Sequence, residues 1–160
     1  MNEDELDELS ERLLRMEIWA EIDLAFNARI RPDAPLTFGD KPVADDVEST
    51  LREKDWQEVT PSDLRRIRID IGALRPDAFW YYSRAFMRSA LLSDDDLSDD
   101  PGGWVVSALT PLEAGISDRF RRRIEDLSPV ERLAVARFVH WYDGETFLAA
   151  RDRLLALWLI

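Results

Sequence analysis

The sequence predicts a mostly α-helical fold: six to eight helices round one central aromatic helix, with little or no sheet. Three observations carry this prediction. Residues 77–87 place five aromatics within eight positions, Phe79, Trp80, Tyr81, Tyr82 and Phe86, directly behind a proline that can open a helix. At 100° per residue, Ala78, Phe79, Tyr82, Ala85, Phe86 and Ala90 share one broad face, and Trp80, Met87 and Leu91 form a second. A helix apolar over most of its circumference is a buried one. Second, three segments share one helix-start pattern, Thr60-Pro61-Ser62-Asp63, Thr110-Pro111-Leu112-Glu113 and Ser128-Pro129-Val130-Glu131. Each places a hydroxyl at the N-cap, proline at the first helical position and a carboxylate that reaches back to the cap. Third, apolar residues recur at three- and four-residue intervals in the N-terminal segment and in residues 129–142.

Residues 3–30 read as one helix or a pair. Leu6, Leu9, Leu13, Met16, Ala20 and Leu24 mark one face, and Ile18, Trp19, Ile22, Phe26 and Ile30 mark another from residue 18 onward. The first turns are thus expected to be half-exposed and the later ones more deeply packed. Acidic residues crowd the first turn, where the helix dipole favours them. Residues 31–43 hold Pro32, Pro35, Gly39 and Pro42 and form a loop. Residues 44–54 suit a short helix, and the aromatic helix spans 76–92. An acidic loop over 93–103 ends in Pro101-Gly102-Gly103. Residues 104–109 fit a short strand or a helical turn. A helix follows over 118–126 with Arg119, Arg121, Arg122 and Arg123, then an amphipathic one over 129–142 through Val130, Leu133, Ala134, Phe138, Trp141 and Tyr142. Residues 145–160 close the chain with Phe147, Leu154, Leu155 and Trp158 on one side.

A chain of 160 residues suits a single domain, and six tryptophans and seven phenylalanines supply an ample core. The absence of cysteine excludes thiol chemistry, Cys-ligated zinc and Fe–S clusters. The acidic start Met1-Asn2-Glu3-Asp4-Glu5 lacks the apolar region of a secretory signal, and no apolar run approaches the roughly 20 residues of a membrane span. Nineteen arginines against two lysines fit a GC-rich genome. The expectation is a cytoplasmic protein of bacterial type.

The net charge of −12 is concentrated: residues 1–11 carry −6 and residues 94–100 carry −5. Both patches repel phosphate backbones and anionic membranes. They suit a basic protein partner or serve solubility alone. The basic residues Arg65, Arg66 and Arg68 and the 119–123 cluster are too short, and too outweighed by nearby acid, to suggest nucleic acid.

Ala78-Phe79-Trp80-Tyr81-Tyr82 followed by Ala85-Phe86-Met87 resembles the "AF-x-YY-x-x-AF" signature of a family of small uncharacterised bacterial proteins. The similarity extends from Trp56 and Thr60-Pro61 through Leu109-Thr110-Pro111, Leu127-Ser128-Pro129-Val130-Glu131 and Ala136-Arg137-Phe138-Val139 to Leu154 and Trp158, about residues 56–158. This chain has Arg84 where the family pattern often has proline, so the kink that proline implies is not carried over. The resemblance supports the core assignment and implies no activity, cofactor or site residue.

The candidates for chemistry are few. His140 is the only histidine; it could act as a general base, or occupy the boundary of a packed helix. Asp94, Asp95, Asp96, Asp99 and Asp100 offer oxygen ligands for a hard cation. Read as an EF-hand starting at Asp94, however, the loop has Asp99 where glycine is required and Val105 where glutamate is required. A solvated acidic loop, open to a partner, is the simpler expectation. Asp77, Tyr81, Arg84 and Arg88 line one side of the aromatic helix at spacings of 4, 3 and 4. Two arginines and a phenol could hold a carboxylate or phosphate through forked hydrogen bonds. The competing reading is the exposed strip of an otherwise buried helix. No glycine-rich phosphate loop, paired-carboxylate motif or nucleophile elbow is present, and no cofactor is implied. The residues therefore favour a non-enzymatic interaction protein (an adaptor, inhibitor or immunity-type module) with an acidic surface. The alternative is a small anionic-ligand binder or enzyme using Tyr81, Arg84 and Arg88.

Overall fold

The computed structural model describes residues 1–39, 42–93, 100–109 and 118–143. Its hub is the aromatic segment. Pro76 occupies the first helical position, where its missing N–H costs nothing, and the helix runs Pro76–Leu92 as the sequence predicts. Every residue from Ala78 to Met87 is buried. Seven α-helices are present among the described residues: α1 (Glu3–Phe26), α2 (Val43–Leu51), α3 (Pro61–Ile67), α4 (Pro76–Leu92), α5 (Pro101–Leu109), α6 (Asp118–Glu125) and α7 (Pro129–Asp143). Two 3-10 turns, Trp56–Glu58 and Arg68–Ala73, link the middle of the chain. No strand occurs among these residues; one isolated antiparallel bridge joins Thr37 to Leu74. The fold is mostly α, as expected.

Helix α4 packs against α1, α5, α6 and the Trp56–Glu58 turn, and α7 lies along α1. Its rings pack edge-on: Phe79 and Trp80 meet at 4.9 Å and 90°, and Phe86 meets Trp104 of α5 at 6.1 Å. The polar atoms these rings bring inside are satisfied, as burial requires. Trp80 Nε1 donates to the Arg123 carbonyl at 2.7 Å, and the Tyr82 hydroxyl donates to the Lys54 carbonyl at 2.7 Å.

Two of the three hydroxyl–proline helix starts lie within the described residues, and both close as capping boxes. Asp63 N donates to Thr60 Oγ1 at 3.2 Å while Thr60 N donates to Asp63 at 3.0 Å. Glu131 N donates to Ser128 Oγ at 3.3 Å while Ser128 N donates to Glu131 at 2.9 Å. The Thr110 start lies outside the described residues, as do the closing segment 145–160 and Asp94–Asp99.

Three expectations are corrected. Pro101-Gly102-Gly103 is the first turn of α5 and not the end of a loop, so residues 104–109 are helical. Asp100 supplies the cap: Gly103 N donates to its carboxylate at 2.9 Å. The glycines are needed here for room. A Cβ on Gly102 would stand 2.9 Å from the Tyr142 ring and 3.2 Å from Ala90 Cβ.

On α7 the buried face is Ala134, Val135, Phe138 and Val139, whereas Val130 and Leu133 are exposed. The helix is turned by its contacts with α1, where Arg137 pairs with Glu17 at 2.9 Å and also with Glu21, and Trp141 Nε1 donates to Glu11 at 3.0 Å. On α1 the later turns bury Ile18, Ile22 and Phe26, but Ala20 and Leu24 remain exposed with Leu6, Leu9, Leu13 and Met16. The two apolar faces point in roughly opposite directions at 100° per residue, so one helix cannot bury both against a single core.

Arg29, just past α1, clasps the α6–α7 turn. It pairs with Glu131 and, at 2.8 Å, with Asp126, and donates to the Asp126 carbonyl at 2.9 Å. Burial alone would raise the Glu131 carboxyl, but the hydrogen bonds from Arg29 and Ser128 and the Arg29 charge hold it below its ordinary 4.5. A carboxylate depressed in the folded state stabilises above its unfolded value, and that contribution is lost as pH falls through the folded value. Glu131→Gln is therefore expected to lower stability at pH 7 and to flatten the acid limb below about 4.5. Urea midpoints from pH 7 to 3 check this. Parallel curves for the two proteins would contradict it.

Candidate functional site

The strip Asp77, Tyr81, Arg84 and Arg88 is not an exposed edge. Tyr81 and Arg84 are buried, Asp77 is half-buried, and Arg88 is exposed. The Trp56 ring explains the arrangement. The Arg84 guanidinium lies 4.7 Å from its centroid and that of Arg88 5.8 Å, while Trp19 of α1 packs on the same ring at 5.7 Å. Guanidinium is the most weakly hydrated protein cation and stacks on aromatic faces, so it enters a core that an ammonium would leave.

Tyr81 Oη accepts from Trp56 N at 3.4 Å and lies 3.3 Å from Asp55. Burial lowers the affinity of Arg84 for its proton, partly offset by Asp23 and Tyr81. Burial also raises the Tyr81 phenol above 10.0. Arg84 Nη2 has no hydrogen-bond partner. The four residues are thus brought together on one helix side, and their contacts are to Trp56, Asp55 and, for Asp77, Arg75 at 3.2 Å.

Because Arg88 is exposed and stacks only at the ring's edge of range, Arg88→Ala is expected to cost under about 1 kcal/mol in chemical denaturation. A loss above about 2 kcal/mol would mean that it anchors the α4–Trp56 contact.

A cavity of about 440 Å³ is lined by Arg31, Pro32, Asp33, Arg52, Glu53 and Tyr82 among others. A groove of about 700 Å³ runs between α1 and the end of α4, past Asp7, Glu8, Glu11, Arg12, Met16 and Leu92. Neither includes Tyr81, Arg84 or Arg88.

The other candidates lie apart from this strip. His140 is on the exposed side of α7, with Leu133. Of the acidic run, Asp100 is described; it caps α5 and accepts from the Tyr142 hydroxyl. No group of three or more potential metal ligands occurs among the described residues.

Two features stand outside the candidate site residues named from the sequence. The first is Arg123. Its guanidinium is buried, donates to the Ala108 carbonyl at 2.6 Å and the Gly72 carbonyl at 3.2 Å, and covers Phe79 at 4.2 Å. Burial, with the nearby Arg119 charge, pulls its pKa down to about 10. The available signal was its place among Phe120, Ile124 and Leu127 at helical spacing.

The second is the outer face of α1. Leu6, Leu9, Leu13, Met16 and Leu24 are between 41% and 74% exposed. Six of the twelve large apolar side chains exposed among the described residues lie on this one helix. Scattered exposed leucines are ordinary, whereas these form one contiguous line. Its helix carries nine acids and two arginines, a net −7.

No helix among the described residues is long and apolar enough to cross a membrane. No curated protein and no solved structure is a significant match to the chain. One family does match, over residues 37–155, beginning ahead of the 56–158 span of the resemblance and after the end of α1. The chain belongs to this family, described as a family of unknown function (DUF6714).

Proposed function

We propose that the protein is a non-enzymatic protein-interaction module that engages its partner through the outer face of α1. The observation that carries this reading is the line Leu6, Leu9, Leu13, Met16 and Leu24, exposed on a helix whose opposite side, Ile18, Ile22 and Phe26, is fully packed. The core holds the helix in place, and the outer line contributes no burial to that core. The surface is acidic, in keeping with the charge pattern of the sequence, but the acids in question are those of α1. The arginines of α4 have their contacts inside the fold, which favours a structural part for them.

A photo-crosslinking residue placed at Leu13 in the native cell tests the reading. Protein adducts at Leu13, absent when the same residue is placed at Ile69, an exposed apolar position elsewhere, are the expected result. Equal adducts at both positions, or none at Leu13, would overturn it.

A further inference from the structure

We infer that the occupant of this face is a basic amphipathic helix of another protein. The inference rests on the reading of α1 as a binding surface and names what that surface binds.

Shape gives the first argument. Leu6, Leu9, Leu13, Met16, Ala20 and Leu24 are spaced 3, 4, 3, 4 and 4 apart, one side chain wide. At 1.5 Å per residue the line is roughly 27 Å long. A seam of that width and length is complementary to the apolar line of a second helix, which settles into it at an interaxial distance of about 8–10 Å. Recognition of an amphipathic helix through i, i+3, i+4 and i+7 anchors uses this geometry.

Charge selects among helices. Glu3, Glu17 and Glu21 flank one side of the line, and Glu5, Arg12 and Asp23 the other. Glu17 and Glu21 are engaged by Arg137, while the first turns keep Glu3, Asp4 and Glu5 exposed. A second copy would bring another helix of charge −7 to the same seam, and the repulsion of like charges opposes it. Lysine and arginine on the incoming helix lay their apolar stems along the leucines and set their charges among the carboxylates.

The test uses the full chain and a fluorescein-labelled 18-residue peptide of leucine and lysine, with the leucines at three- and four-residue spacing, read by anisotropy. Expected is saturable binding that falls at least tenfold for a Leu13→Ser, Met16→Ser double variant with an unchanged circular dichroism spectrum. It should also fall for Glu5→Gln, Asp23→Asn and with added salt. Equal binding of a scrambled peptide of the same composition would reduce the interaction to bulk charge and overturn the inference. So would equal binding of a leucine–glutamate peptide.

Two further outcomes would overturn it by naming another occupant. Sedimentation equilibrium showing a dimer that Leu13→Ser abolishes would point to a second copy. Faster amide exchange in residues 144–160 of Leu13→Ser would point to the chain's own C-terminal residues. Adducts at Leu13 in the cell without peptide binding would preserve the binding face and reject a basic helix as its ligand.

Discussion

Phe79→Ala is expected to lower the free energy of unfolding by about 3–5 kcal/mol, against a typical total of about 5–15. Phe79 is fully buried, so truncation removes both its transfer free energy and its share of a close-packed interior. Two specific contacts are also lost. The ring meets Trp80 edge-on at 4.9 Å, and the Arg123 guanidinium covers its face at 4.2 Å. Helix α4 touches α1, α5 and α6 together, so the void cannot be closed by moving one neighbour. Phe86→Ala, fully buried against Trp104, is expected to cost a similar amount by the same mechanism. Urea denaturation measures both. A near-neutral Phe79→Ala would remove α4 from the centre of the fold.

Arg123→Ala should be the next most damaging change, with a net loss of about 2–4 kcal/mol. The Ala108 and Gly72 carbonyls accept from its two terminal nitrogens and would be left without those donors, and the Phe79 face would be uncovered. Against this, removing a buried charge relieves desolvation, the first cause of the lowered Arg123 pKa. The carbonyls decide the sign, because an unsatisfied buried acceptor costs about 1–3 kcal/mol. Arg123→Met separates the two effects, since it fills the space without supplying donors. It should recover only part of the loss in the same denaturation experiment. Full recovery would show that Arg123 acts through packing alone.

What the sequence made legible follows from which signals are local. The span of α4 could be read because a proline start and an apolar circumference are both properties of one segment. The capping boxes at Thr60 and Ser128 could be read for the same reason. The start of α5 was obscured because Pro-Gly-Gly ordinarily breaks a helix. Here Asp100 caps it, and the glycines admit Tyr142 and Ala90, a requirement set by two other helices.

The side-chain identities of the α4 strip suggest either an anion-holding site or an exposed edge. The strip's burial depends on Trp56, which is 28 residues from Arg84 in the chain and stacks on it in space. Helix α1 offered two apolar lines of similar strength. Periodicity ranks neither above the other, and only the packed neighbours, α4 and α7, show which one enters the core. The α7 face was misplaced in the same way, since Val130 and Leu133 fit the helical period but point outward.

The central claim is that the α1 line Leu6–Leu24 faces outward for binding while its opposite side secures the fold. Equilibrium urea unfolding of the Leu13→Ser, Met16→Ser double variant tests it most directly. If the line lies in solvent, stability should stay within about 0.5 kcal/mol of the unsubstituted protein. A loss of about 2 kcal/mol or more would mean that the chain itself buries these residues, and the binding face would not exist.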